Sequence, residues 1–335
     1  MKRFRIGVVG AGLIARDHAL SLRRMPEVEA LSFFDAAPER AAQLAAEFGG
    51  RVASDLDELV AGCDVVWICT PPFARRAAIE AACAAGRAIF CEKPLALSAA
   101  DAAWIQHTVR AAGVPFFMGQ SNRFLAVFRQ MKALLDAGEI GTPTSIWSTR
   151  LGWLDAAASP AWRLDDAKGG GVLVELGIHE IDFIRWLSGD WQSVYARGAS
   201  AVIAPGRFLE AASGIGTLQN GLTARLDVSW ASPRYLWQRG VEGTTGSLFF
   251  DDRRITQIEL NRFGKEPQLF PVGNWQDEQT GENLSLREQA HTVLRTLAEN
   301  GAPPVTLEDG LAALQVALAI RKSVQSGAVI PLENS

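Results

Sequence analysis

At 335 residues the chain has about twice the usual domain length, so two domains are expected, and an apolar share of 48% gives each a sizeable core. A net charge of −4 with no basic block argues against nucleic acid or an anionic membrane surface as the main partner, and no apolar segment approaches the length of a membrane span. Cys63, Cys69, Cys83 and Cys91 have neither C-x-x-C nor metal-ligand spacing, so buried reduced thiols, a cytoplasmic setting and no bound metal are expected.

The basic start and apolar run at the N-terminus mimic a secretion signal. Three glycines interrupt the run, however, and a charged helix follows, so a buried strand and a turn are expected instead. Candidate strands at 4–10, 29–35, 64–70, 87–92 and 114–119 alternate with Ala-rich helices such as 38–49 and 75–86. Continuous apolar strands separated by helices predict an α/β doubly wound domain over 1–120, its parallel sheet covered on both faces. From 121 to 335 the texture is α+β. A helix over 128–141 precedes a strand-like TPTSIWSTRLGW (142–153). An apolar helix follows at 169–187, then β-rich runs such as SVYARGASAVIA (193–204), GLTARLDVSW and TGSLFFDD, and two closing helices. Turn residues between the β-rich runs predict a mostly antiparallel sheet.

VVGAGLIA places Gly10-x-Gly12-x-x-Ala15 after the first strand and at the start of a helix. There the glycines allow a tight turn, and main-chain N–H groups around Leu13 and Ile14 can approach a pyrophosphate. Asp35 ends the second strand, where a carboxylate accepts from a ribose diol and repels a 2′-phosphate. This favours NAD over NADP, with a turn or N-cap role before AAPER as the alternative. Arg40 is the residue that would count against NAD, and it is expected on the exposed face of its helix. CTPP (69–72) and CEKP (91–94) end the third and fourth strands, so Thr70, Pro71, Glu92 and Lys93 fall on the cofactor side. Pro94 keeps Lys93 out of a helix. In GGGVLVELGIHEIDFIRWL (169–187), steps of four and seven residues place Glu175, His179 and Asp182 in one polar row on an apolar helix.

GVVGAGLIA, TPP, EKPLA and GGGVLVELGIHEIDFIRWLSG together resemble the glucose–fructose oxidoreductase / inositol dehydrogenase (Gfo/Idh/MocA) family. The likeness continues through NRF (122–124), GEIGTP (138–143), VEGTTGSLFFDD (241–252) and the last helix. The resemblance implies a Rossmann N-terminal domain and a C-terminal domain on an open sheet. One sheet face would lie under helices, the other would form a homodimer or homotetramer interface, and the final helices would pack back towards the first domain. It also implies that Lys93 and His179 flank the substrate carbon facing a nicotinamide. Three positions depart from the family: Glu175 where Asp is usual, Arg75 (followed by Arg76) where many members have His, and Ala15 for the third glycine.

Alcohol oxidation needs a base near neutral pH, which suits His179, and a donor to the developing alkoxide, which suits Lys93. Glu175 orients the imidazole or binds a neighbouring hydroxyl. Asp182 fixes the helix, anchors the His ring or reaches substrate. Trp153, Trp162, Arg163 and Lys168 come from a loop before the helix and suit the apolar face and hydroxyl rim of a sugar or cyclitol. Asn122 and Arg123 point to the same cleft between the domains. His18 is assigned a structural or supporting role, and His107 and His291 none. The expected activity is NAD-dependent oxidation of a secondary alcohol or lactol carbon of a sugar, sugar acid or cyclitol, or its reverse. The alternatives are a redox-neutral NAD-using glycosidase or lyase, and a non-catalytic nucleotide-binding sensor or assembly subunit.

Overall fold

Runs such as RIGVV and DVVWI are too uniformly apolar for strands with one wet face, and they form a parallel sheet covered on both sides. In the computed structural model, which describes residues 2–203, 206–254 and 256–332, six strands make this sheet. They are β1 (Phe4–Val9), β2 (Val28–Phe34), β3 (Arg51–Val52), β4 (Val65–Ile68), β5 (Ala88–Glu92) and β6 (Phe116–Gly119). Their order is β3-β2-β1-β4-β5-β6 with every pair parallel, so the winding reverses between β1 and β4. β3 has only two residues, both exposed, and carries no apolar run that a sequence reading could find.

Between the strands lie α1 (Leu13–Leu22), α2 (Pro38–Phe48), α3 (Leu56–Ala61), α4 (Arg76–Ala84) and α5 (Ala99–Ala112). Pro38 occupies the first turn of α2, where a missing N–H costs nothing. Asp55 and Ser98 cap α3 and α5 by accepting from main-chain N–H groups. Ala15, Ala19 and Leu22 of α1 and Leu44 and Phe48 of α2 pack with Ala290, Val293 and Leu294 of a later helix over Ile6, Val8, Phe33 and Trp67. Burial pushes the Cys63 thiol up to about 11, and it also raises the thiols of Cys69, Cys83 and Cys91.

The chain divides into two compact units, Met1–Phe124 with Gln276–Leu311, and Leu125–Trp275 with Ala312–Ser335. The second unit contains α6 (Ala126–Asp136), β7 (Pro143–Trp153), the single turn α7 (Asp166–Gly169) and α8 (Ile178–Ser188). Then come β8 (Trp191–Ala199), β9 (Ala211–Leu218), β10 (Thr223–Ser229), β11 (Ala231–Gly243), β12 (Gly246–Asp251), β13 (Gln257–Arg262) and β14 (Gln268–Pro271). α9 (Leu284–Ala298), the helix packed on α1, is followed by α10 (Leu307–Ser326) and β15 (Ile330–Pro331). The end of the β-rich run expected over 193–204, at Ala204, lies outside the described residues. Among those residues no helix is long and apolar enough to cross a membrane.

The second sheet has nine strands in the order β14-β13-β12-β11-β7-β10-β9-β8-β15, antiparallel except where β7 pairs with β10. Side chains alternate between its faces. One cross-strand row, Tyr195, Ile215, Arg225, Trp147, Gly240, Phe249, Glu259 and Leu269, lies on the less covered face. Trp147 lies across Gly240, where a Cβ would come within 2.5 Å of the indole. On the other face Val194, Leu226, Ile146, Val241, Leu248 and Ile258 are buried. Phe128 of α6 meets Phe183 of α8, Trp237 and Phe250 edge-on at 5.1, 5.3 and 4.9 Å.

A buried ion pair fastens α8 to this covered face. Arg239 donates to Glu180 at 2.8 Å through Nε, the Ser148 hydroxyl donates to the same carboxylate, and Arg150 reaches it at 3.4 Å. The Arg239 guanidinium lies 4.2 and 4.0 Å from the ring centres of Phe128 and Phe183. Burial lowers Arg239 to about 10 against the opposing pull of Glu180. Burial pushes the Glu180 carboxyl up, but Arg239, Arg150 and Ser148 outweigh it and hold the group below its ordinary 4.5. A folded-state value below the unfolded one means a contribution that is complete above that range and fades as pH falls through the folded value. Glu180→Ala, which strands Arg239, is therefore expected to cost about 3–5 kcal/mol near pH 7. Chemical denaturation of both proteins checks this, and their difference should shrink as the pH drops below 4.5.

Candidate active site

The turn after β1 needs glycine at its first position. Gly10 has φ +90°, and a Cβ there would lie 2.8 Å from the Thr70 nitrogen. Its N–H donates to the Phe34 carbonyl at 2.9 Å, so the ends of β1 and β2 are tied together. Asp35 then folds over the turn, accepting from the N–H of Ala11 at 2.7 Å and of Ala37 at 2.9 Å. The carboxylate thus organises the turn, and these two bonds leave it further lone pairs. A Cβ on Gly12 would meet nothing within 4 Å, no side chain caps α1, and Leu13 is 85% exposed. The first turn of α1, which contains Leu13 and Ile14, is therefore uncapped and approachable past Gly12 at the positive end of a helix dipole. The arrangement fits the pyrophosphate of a dinucleotide.

Thr70 and Pro71 follow β4 and are half-buried. Beside them, after β5, the Lys93–Pro94 peptide bond is cis and Lys93 is half-buried. Glu92, expected to touch cofactor, is buried instead and holds protein groups. One of its oxygens lies 2.9 Å from His18 Nε2, and the other accepts from the Lys93 N–H at 3.0 Å. His18 accordingly has the supporting role expected of it. Asn122 and Arg123 are both buried in the N-terminal unit, where Arg123 pairs with Asp309 of α10 at 2.9 Å.

In the second unit the polar row is reshaped. Leu173–Gly177 forms a π-helical turn before α8, so the step from Glu175 to His179 is not the α-helical one the sequence implied. Glu175 and His179 are half-buried, while Asp182 is fully buried within α8's packing, in the field of Arg239. Glu175 accepts from Arg163 at 2.9 Å, and the Arg163 guanidinium lies 5.4 Å from the Trp162 ring. The glycine run makes this possible. A Cβ on Gly169 would lie 2.9 Å from the Arg163 carbonyl and 3.0 Å from that of Trp162, so the loop rests directly on the helix start. Gly171, at φ +62°, approaches the Leu209 carbonyl in the same way. Trp153 stands 58% exposed at the end of β7, and Lys168 is exposed on α7. Among the described residues no group of three or more His, Cys, Asp or Glu side chains is placed to hold a metal ion.

Residues 4–120 match the model of an oxidoreductase family with an NAD-binding Rossmann fold, and residues 128–249 match the GFO/IDH/MocA C-terminal domain. The chain is 27% identical to a myo-inositol 2-dehydrogenase of Thermotoga maritima, with 98% of each chain covered. It is 28% identical to a 1,5-anhydro-D-fructose reductase of Ensifer adhaerens, again with 98% of each covered. The fold is shared with a levoglucosan dehydrogenase solved with NADH and L-sorbose, at a TM-score of 0.87 and 22% identity over 99% of both chains. Both parts thus match one family, and the chain is a member of the Gfo/Idh/MocA family of NAD-binding oxidoreductases.

Proposed function

We propose that this enzyme oxidises a secondary alcohol or lactol carbon of a sugar, sugar acid or cyclitol, or runs the reverse reduction. The observation that carries this reading is the full-length likeness to a polyol dehydrogenase, which includes both the Lys93 segment and the His179 helix. Gly10, Gly12, Leu13, Ile14, Asp35, Thr70 and Pro71 would hold NAD, which when bound supplies the hydride acceptor. The Asp35 carboxylate disfavours a 2′-phosphate, and Arg40 lies on the exposed side of α2, so NAD is preferred over NADP.

Lys93 hydrogen-bonds the reacting oxygen as an ammonium and stabilises alkoxide character, and His179 takes the hydroxyl proton. Glu175, oriented by Arg163, holds a neighbouring hydroxyl or the imidazole, and Trp162 offers an apolar face to the ring. Asp182 belongs to the packing of α8 in this reading. A second copy of the chain covers Ile215 and Leu269, which are 48% and 45% exposed on the less covered face of the nine-stranded sheet.

A panel of polyols and sugars with NAD should give one NADH, read by absorbance, per molecule oxidised. Product formed without net NADH would instead identify a redox-neutral reaction. His179→Ala and Lys93→Ala should each lower turnover by about 100-fold or more while NAD still binds. Unchanged turnover in His179→Ala removes its assigned role. Asp35→Ala removes charge-assisted hydrogen bonds and should weaken NAD binding by about 10–100-fold in a fluorescence titration, while NADP binding falls less.

A further inference from the structure

We propose that Arg75 is a positioning residue, a tie between the loop after β4 and the Lys93–Leu95 segment after β5 that sets where the Lys93 ammonium stands. The proposal rests on the reading of Lys93 as a catalytic group.

Arg75 is only 2% exposed. Its Nε and Nη2 donate to the Thr70 carbonyl at 3.2 and 3.1 Å. Nη2 also donates to the Lys93 carbonyl at 3.2 Å, and Nη1 donates to the carbonyls of Pro94 and, at 3.5 Å, Leu95. A guanidinium carries five N–H donors in a rigid fork, and these five bonds use all of them on main-chain oxygens. The acceptors belong to two separate segments: Thr70 follows β4, and the other three are Lys93 itself and the two residues after it.

The N–H side of Lys93 is held by a different charge, the buried Glu92 carboxylate, itself fastened to His18. Both peptide groups of Lys93 are therefore fixed by buried charged side chains, one from each side. Burying a cation is costly, and here the main-chain carbonyls and the neighbouring Cys91 thiol are what meet it. Lysine at position 75 would bring three donors on a flexible stem, and histidine two, so neither spans the same acceptors.

The test measures kcat, KM, NAD affinity, thermal stability and amide hydrogen exchange for the full-length enzyme with Arg75→Ala and Arg75→Lys. In Arg75→Ala, kcat should fall by about 100-fold, the scale of a misplacement near 1 Å, with NAD affinity little changed. Arg75→Lys should lie between the two and carries the test if the alanine variant does not fold. Exchange in a peptide spanning 92–97 should quicken. Millimolar guanidinium chloride should restore part of the lost turnover of Arg75→Ala, and ammonium chloride should not.

Lys93→Ala, measured alongside, separates the two ways of failing. If Lys93→Ala retains turnover, the catalytic assignment of Lys93 falls and the proposal falls with it. If Lys93→Ala is inactive while Arg75→Ala keeps wild-type kcat, or if exchange over 92–97 is unchanged, the positioning role alone is overturned.

Discussion

Parallel pairing forces the carboxyl ends of β1, β4 and β5 to a single edge, so Gly10, Thr70 and Lys93 become neighbours although more than eighty residues separate the first from the last. At such an edge the last carbonyls of each strand lack a strand partner, and each buried one must find a donor. The chain supplies two kinds. Gly10 gives its N–H to the Phe34 carbonyl, drawing the first turn onto the end of β2. Arg75 gives its whole fork to the carbonyls beyond β4 and β5. The N-terminus of α1, directly after β1, adds N–H groups that have no side-chain cap. The same edge therefore combines satisfied carbonyls with uncapped helix donors, which suits it to an anionic ligand.

Each proposed catalytic side chain sits beside a buried carboxylate. Glu92 precedes Lys93 and accepts its N–H, and Glu180 follows His179 and pins α8 to the sheet through Arg239 and Ser148. On an α-helix successive residues are about 100° apart, so a Glu180 turned into the sheet leaves His179 turned to one side. The half-buried state of His179 next to the fully buried Glu180 agrees with that geometry. Neither carboxylate needs to touch substrate to matter, because each fixes the backbone from which the reactive group extends.

The apolar strands, the glycine turn and the two-unit texture were legible because they depend on local period and turn chemistry. What was not legible depends on partners far away in sequence. Glu180 looks like one more charge on an amphipathic helix until Arg239, 59 residues on, closes over it. Arg75 looks like a departure from a family pattern, and only the meeting of two strand ends gives its fork five acceptors. The π-helical turn at Leu173–Gly177 lasts a single turn, and its period differs too little from the α-helix to leave a mark in the apolar spacing. Glu92 and Arg123 stand at or just after strand ends on the side expected to face ligands, yet Glu92 is held by the buried His18 and Arg123 pairs with the half-buried Asp309.

Glu175 shows how a departure from the family can be absorbed locally. The side chain is one methylene longer than the usual aspartate, and its oxygen meets Arg163 at 2.9 Å. An aspartate on the same backbone would end about 1.5 Å short of that donor. Arg163 is available because its loop lies directly on Gly169, an approach that any side chain at 169 would prevent. The Trp162–Arg163 loop, the glycine run and Glu175 therefore form one unit in which the longer carboxylate and the arginine require each other. The position of the Trp162 ring and the start of the His179 helix are then coupled through a single half-exposed ion pair.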